Sequence, residues 1–157
     1  MDDSVISTED PRTPDIRALL ERHLAFANLH SPPEDVHALN VEALLDPSIS
    51  FFALRRAGAL LGVGALRQFN AHEGELKSMH VAAEARGEGA GRRILNHLLG
   101  VARERGLRRV SLETGTMAAF DAARSLYESA GFVPCGPFSD YPLSSNSAYL
   151  TLTLEVD

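Results

Sequence analysis

The 157-residue chain holds one cysteine, Cys135. An internal disulfide is therefore excluded, and a reducing compartment suits it. No apolar run approaches the ~20 residues needed to cross a bilayer. The opening MDDSVISTEDPRTPD is acidic and polar and lacks the basic start and apolar stretch of a signal peptide. These absences predict a cytoplasmic location. The chain also lacks an excess of basic residues: 15 Lys and Arg stand against 21 Asp and Glu, a formal charge of −6. That argues against broad binding to nucleic acid or to an anionic membrane, where a basic face is expected. Internal repeats and low-complexity linkers are absent, and the length predicts a single domain over residues 1–157. With 45% apolar residues, a chain of this size buries roughly two-thirds of its unfolded surface and needs no metal or cross-link to hold a core.

The order of elements reads β-α-α-β-β-β-α-β-α-β-β. Val5 to Ser7 suits a short strand. Ile16, Leu19, Leu20, Leu24 and Ala27 recur at helical spacing after Thr13 or Asp15. Pro32 and Pro33 interrupt that helix, and Val36, Leu39, Leu44 and Leu45 suit one or two short helices. Ile49–Arg55 and Leu60–Phe69 flank Ala57-Gly58 as a hairpin, and Glu75–Ala82 adds a third strand. A helix runs to about Arg105 and ends at Gly106. Arg109–Thr114 is a strand, Met117 to Gly131 a helix, Phe132-Val133 the start of a short strand, and AYLTLTLEV the last strand. A crossover helix between Glu75–Ala82 and Arg109–Thr114 predicts parallel pairing there. The fold class is mixed α/β: a mostly antiparallel sheet with one parallel pair, flanked by helices. Too few β-α-β units are present for a doubly wound nucleotide fold.

The stretch VAAEARGEGAGRRILNHLL, Val81 to Leu99, stands between a strand and an amphipathic helix. Counted from Gly87, Arg92 occupies the second glycine position of a P-loop, and no Lys-Ser/Thr pair follows. Counted from Gly87-x-Gly89, Arg92 again replaces the third glycine of a dinucleotide fingerprint. An anion is nonetheless favoured. About four amides lie unpaired at a helix start, the helix dipole adds roughly half a positive charge, and glycines let a ligand approach the backbone closely. Arg86, Arg92 and Arg93 add charge. The alternative is a plain turn with solvated arginines.

The pattern R-x-x-G-x-G (Arg86, Gly89, Gly91), after LKSMHV and before RRILNHLL, resembles motif A of the GNAT superfamily of acetyl-CoA-dependent N-acetyltransferases. Downstream, AARSLYESAGF resembles that family's next motif, through Leu126-Tyr127 and Gly131-Phe132. SPPEDVHAL, GELKSMHV, SLETG and PCGPFSDY further resemble the small bacterial YsnE-like group of that family. The resemblance spans about Asp15 to Leu154. It implies a GNAT acyl-CoA N-acyltransferase fold, in which the pantetheine arm enters a gap between two splayed strands. The first of these would be Leu76 to Ala82. Met79, His80 and Val81 would then line the pantetheine, with an amide near Val81 polarising the thioester carbonyl. Gly87, Glu88, Gly89, Ala90, Gly91 and Arg92 would bind the pyrophosphate beside Arg86, and Arg93 would face the 3′-phosphate region or water.

The same resemblance implies that Tyr127 protonates the leaving thiolate; its phenol, with a pKa of ~10, is protonated at neutral pH. The alternative is a buried packing tyrosine. An amine with a pKa near ~10 must also lose a proton, and Glu75 is the first candidate base, followed by Glu113. By simple strand alternation Glu75, Lys77 and Met79 share one face, and Leu76, Ser78 and His80 the other. Many proteins of the family have no dedicated base.

His23, Glu34 and His37 from the early region, and Asp140 and Tyr141 from the late loop, are expected to form the acceptor site. A metal is not expected: His23, His30 and His37 are interrupted by prolines, and zinc needs three or four convergent ligands. Cys135 suits packing better than nucleophilic attack, with no basic partner evident. The expected activity is transfer of acetyl from acetyl-CoA to the amine of a small molecule or peptide in a ternary complex, without metal; the resemblance also allows a homodimer, since small proteins of the family are often dimers. Two other readings are a non-catalytic acyl-CoA sensor on the same fold and a helix-turn-helix regulator, the latter opposed by net acidity and by the mixed element order.

Overall fold

The structure, a computed structural model, describes residues 3–30, 41–139, 141, 144–145 and 147–154. Seven strands form one sheet in the order β1-β2-β3-β4-β5-β7-β6. They are β1 (Val5–Thr8), β2 (Ile49–Arg56), β3 (Ala59–Gln68), β4 (Glu73–Val81), β5 (Arg109–Gly115), β6 (Val133–Cys135) and β7 (Ser147–Thr153). Among the described residues three α-helices complete the fold: α1 (Pro14–His30), α2 (Ala90–Glu104) and α3 (Asp121–Ser129). Every strand pair is antiparallel except β4 with β5, where the crossover through α2 makes the pair parallel.

Each face of the sheet has its own core. On one, Ile16, Leu19 and Leu20 of α1 pack on Phe51, Ala53, Val63 and Ala65. On the other, Ile94, Leu95, Leu98, Leu99 and Ala102 of α2 pack on Phe52, Leu54, Leu66 and Leu112, with Tyr127 of α3 in the same cluster. These α2 positions recur at helical spacing, and each large side chain taken from water contributes about 1.5–3 kcal/mol. Arg55 ties the α1 side together by binding both Glu9, at 2.8 Å, and Asp15, at 2.7 Å.

The strand order, the hairpin turn at Ala57-Gly58 and the parallel pair follow the pattern expected from the sequence. The differences are local. Of the one or two short helices expected before Asp46, Val36 and Leu39 lie outside the described residues, and Leu44 and Leu45 fall in a 3-10 turn, Ala43–Leu45. The expected helix from Met117 begins at Asp121, after a 3-10 turn over Ala118–Phe120. The third strand begins at Glu73, not Glu75.

The largest difference lies inside β4. Pairing with β3 runs Val63↔His80 and then Ala65↔Lys77, so Ser78 and Met79 together oppose Gly64. Two residues against one is a β-bulge, and it reverses the side-chain parity of everything beyond it. Glu75, Lys77 and His80 therefore face α1, while Leu76, Met79 and Val81 pack on the α2 side. The expected grouping of Met79 with Glu75, and of His80 with Leu76, is overturned at this point.

Ser78 forms the bulge with φ +55°, a left-handed conformation that costs a residue with a Cβ roughly 1–2 kcal/mol. Its buried hydroxyl also has no partner among the described residues. Ser78→Gly removes both penalties and adds back only the greater chain entropy of glycine. We predict that it stabilises the protein by about 1 kcal/mol in urea unfolding; an unchanged or lowered midpoint would contradict the strain.

Candidate active site

The parallel ladder between β4 and β5 is short. It pairs Glu73↔Arg109, Gly74↔Val110 and Glu75↔Ser111 and then stops. Beyond Glu75 the two strands diverge. A cavity of about 530 Å³ opens in the gap, walled by Leu76, Met79 and Val81 on one side and by Leu112, Glu113 and Thr114 on the other. The β5-facing backbone of β4 from Leu76 onward thus has no strand partner among the described residues. Unpaired strand groups are ready to accept an extended chain.

At the end of the gap the chain turns through Ala83–Ala85 and enters α2. Gly87 and Gly89 both adopt φ +81°, a conformation open to glycine at no steric cost. Gly89 is the residue preceding the helix, and no side chain caps the first turn of α2. The amides left over at a helix start are therefore not occupied by the protein's own groups. A Cβ placed on Gly87 or Gly89 would meet nothing within 4 Å, so the turn presents bare backbone to open space. Arg86, Gly87, Gly89, Ala90 and Gly91 all line the cavity. Glu88 and Arg92 do not: Glu88 pairs with Arg56 at 3.7 Å, and Arg92 hydrogen-bonds Ser129 on α3. Arg93 is half-buried and donates to the carbonyl of Ser4 at 2.5 Å.

Tyr127 reaches the cavity from α3, and the AGF tail of that helix explains how it is held. Gly131 takes φ +103°. Its amide bonds the carbonyl of Glu128, and the Phe132 amide bonds the carbonyl of Tyr127 at 3.1 Å. This is a Schellman ending, in which the residue after the glycine also packs back on the last turn. Phe132 does so on the Tyr127 ring itself, with centroids 5.8 Å apart. The phenol is 8% exposed, and its oxygen lies 3.8 Å from the sulfur of Met79. Burial pushes its pKa up to about 12. It is thus a proton donor at neutral pH, placed beside the diverging edge of β4.

The α1 side of the gap is polar. Glu75 is 1% exposed, yet both its oxygens are engaged. Arg67 donates to Oε1 at 3.0 Å, Lys77 donates to Oε2 at 3.1 Å, and the Tyr141 hydroxyl donates to Oε2 as well. Lys77 also donates to the Tyr141 oxygen at 2.6 Å. Burial, then the charge and hydrogen bond of Glu75, drive the Tyr141 phenol well above its ordinary pKa. Tyr141 in turn packs edge-on to Phe138 at 5.2 Å and tilted against Tyr149 at 5.9 Å. The late loop is thereby anchored to β4. His23 of α1 and His80 of β4 close the wall, with ring centroids 5.0 Å apart. Burial lowers the pKa of both, that of His80 to about 4. Both imidazoles are neutral at pH 7.

Of the residues expected from the sequence, Tyr127, Glu75, Glu113, His80, His23 and Tyr141 are brought to this one cavity. Glu34, His37 and Asp140 lie outside the described residues. Among the residues not expected are Lys77 and Arg67, which hold Glu75, and Phe26 and Phe120, which meet edge to face at 5.4 Å on the cavity wall. Arg67 reaches Glu75 as its cross-strand partner on β3, and Tyr141 reaches it from the late part of the chain. No group of three or more metal-binding side chains occurs among the described residues.

Known proteins match this arrangement. Residues 14–132 fit the model of the Acetyltransferase (GNAT) family. The chain is 41% identical over 149 residues to the uncharacterized N-acetyltransferase YsnE of Bacillus subtilis, covering 95% of this chain and 99% of that one. It is 43% identical over 149 residues to the uncharacterized N-acetyltransferase YedL of Escherichia coli, covering 95% and 94%. A GNAT acetyltransferase structure from Elizabethkingia anophelis with acetyl-CoA bound shares the fold, with TM-score 0.71 at 18% identity over 98% of this chain and 100% of that one. A gap between splayed strands, a bare glycine turn and a buried tyrosine thus occur together in a chain that belongs to the GNAT acetyltransferase family.

Proposed function

We propose that the protein transfers the acetyl group of acetyl-CoA directly to an amine of a small molecule or peptide, with both substrates bound at once in a single cytoplasmic domain. The observation that carries this reading is the Tyr127 hydroxyl beside Met79, in the same cavity as the bare turn at Gly89. The uncapped amides of the turn and Arg86 suit the pyrophosphate of acetyl-CoA. The unpaired edge of β4 suits the amides of its pantetheine arm. The backbone at Val81 supplies a fixed donor toward the thioester carbonyl, where negative charge develops. Tyr127 gives its proton to the departing sulfur, and acidity matched to a thiolate leaving group is what a phenol offers. Glu75, Lys77 and Tyr141 hold the late loop against the acceptor end, and Glu113 faces that end from β5.

Direct transfer needs the acceptor nitrogen next to the thioester, and the α1 side of the gap provides that room. It is bounded by His23, Phe26, His80, Glu113 and Phe120. Apolar rings and neutral imidazoles favour an uncharged amine over an ammonium ion there, because burying an unpaired charge is costly.

Acetyl-CoA is expected to raise the melting temperature of the purified protein. Gly89→Glu places a side chain and a negative charge in the anion turn and is expected to abolish that shift; the same shift in both proteins would reject the assignment of the turn. Tyr127→Phe is expected to lower kcat roughly 100-fold while leaving the Kd for acetyl-CoA within about twofold. Undiminished turnover would reject Tyr127 as the acid, and turnover by neither protein with any amine would favour a sensor that binds acetyl-CoA without reacting it.

A further inference from the structure

The geometry points to His80, backed by His23, as the group that takes the proton from the acceptor amine. This inference rests on the transferase reading above. Three observations carry it. First, the bulge at Ser78 turns His80 to the α1 face, alongside Glu113 and opposite the side that holds Tyr127. Without the extra residue, its imidazole would point into the α2 core. A strained conformation at a non-glycine residue is thus used to aim this side chain. Second, Glu75, the carboxylate of β4 that lines the same cavity, has its oxygens committed to Arg67, Lys77 and Tyr141. A carboxylate so engaged is a holding group for the late loop. Third, no hydrogen bond among the described residues engages the ring of His80, and the buried Nδ1 of His23 is likewise without a partner. The two rings lie side by side on the cavity wall at 5.0 Å. A buried polar nitrogen left unpaired, as the Nδ1 of His23 is, is costly, and an acceptor amine beside the half-buried ring of His80 would find a partner there.

The charge state agrees with this role. The titratable groups around His80 are Arg22 and His23 from α1, Arg86 from the glycine turn, Glu75 and Lys77 on its own strand, and Glu113 across the gap. Burial first, then His23, Arg86 and Arg22, hold its pKa low. A neutral ring has a lone pair to offer at neutral pH. Such a ring is too weak a base to deprotonate a free alkylammonium. Once the nitrogen has bonded to the carbonyl carbon, however, its protons are far more acidic than those of the free ion. The step balances as follows. The amine lone pair forms the C–N bond, and the C–S bond breaks with its electrons going to sulfur. Sulfur takes the phenolic proton of Tyr127, and the nitrogen gives one proton to His80. The imidazolium and the phenolate then exchange protons with solvent and return to their starting forms. His80 is the catalytic residue here; His23 positions it.

The test measures release of CoA thiol from acetyl-CoA with phenethylamine, lysine, spermidine and an alanyl peptide as acceptors. On the amine that wild-type protein uses fastest, His80→Gln and His80→Ala are expected to lose roughly 100-fold in kcat. The Kd for acetyl-CoA stays within about twofold, and added imidazole restores part of the His80→Ala turnover. His23→Phe keeps a ring in place and is expected to lower kcat, leave acetyl-CoA binding unchanged and shift the NMR titration of the His80 ring nitrogens. A folded His80→Gln protein with near wild-type kcat overturns the assignment, as does a loss that imidazole never restores while Glu113→Gln alone removes turnover. If wild-type protein uses none of the four amines yet binds acetyl-CoA, the transferase reading falls, and the role of His80 falls with it.

Discussion

The divergence of β4 from β5 beyond Glu75 is the constraint on which the other features depend. Two strands that paired along their full length would leave no gap, no unpaired backbone edge and no cavity. Three residue pairs hold the parallel ladder at one end, and two devices keep it open at the other. The bulge at Ser78 shifts β4 against β3 and increases local twist. The packing of α2 against β3 and β4, through Ile94 and Leu98, then carries the chain away into the crossover. Part of the cost lies in the strained Ser78 and part in backbone groups left without a strand partner, and a ligand in the gap would satisfy the latter.

The bulge also divides the chemistry between two faces. Met79 and Val81 lie on the α2 side with Tyr127, where the surroundings are apolar and a phenol keeps its proton. His80, Lys77 and Glu75 lie on the α1 side, where Glu75 is held by the two cations Arg67 and Lys77. Proton donation to a leaving sulfur and proton removal from an incoming nitrogen are opposite demands. The gap gives each its own wall and its own electrostatic surroundings. The Schellman ending of α3 fixes Tyr127, and the His23 ring on α1 lies against His80.

Much of this was legible from residue types and spacing. The strand order, the crossover helix, the bare turn and the helix carrying Tyr127 all follow from hydrophobic periodicity and from glycines placed where a helix starts or stops. Gly131 and Phe132 in particular specify a helix ending, and that ending positions the tyrosine. The bulge left only a faint mark. Along GELKSMHV the apolar residues Leu76, Met79 and Val81 slip out of two-residue alternation at Lys77-Ser78, but Ser78 carries none of the signal a glycine would give, and strict alternation assigned Met79 and His80 to each other's faces. The partners of Glu75 were hidden for another reason. Arg67 and Tyr141 come from a neighbouring strand and from a late loop, and their meeting depends on the folded sheet rather than on any local pattern. Glu75 consequently reads from sequence as a free strand-end carboxylate, whereas in the fold it is a buried anchor.

The central claim is that the diverging edge of β4 and the turn at Gly87 to Gly91 together receive acetyl-CoA. Residue-resolved amide hydrogen exchange with and without acetyl-CoA tests it most directly. The account predicts slowed exchange at the amides of β4 beyond Glu75 that face β5 and at the first amides of α2, with the β2–β3 hairpin unchanged. Protection confined to other parts of the sheet, or none at saturating acetyl-CoA, would contradict it.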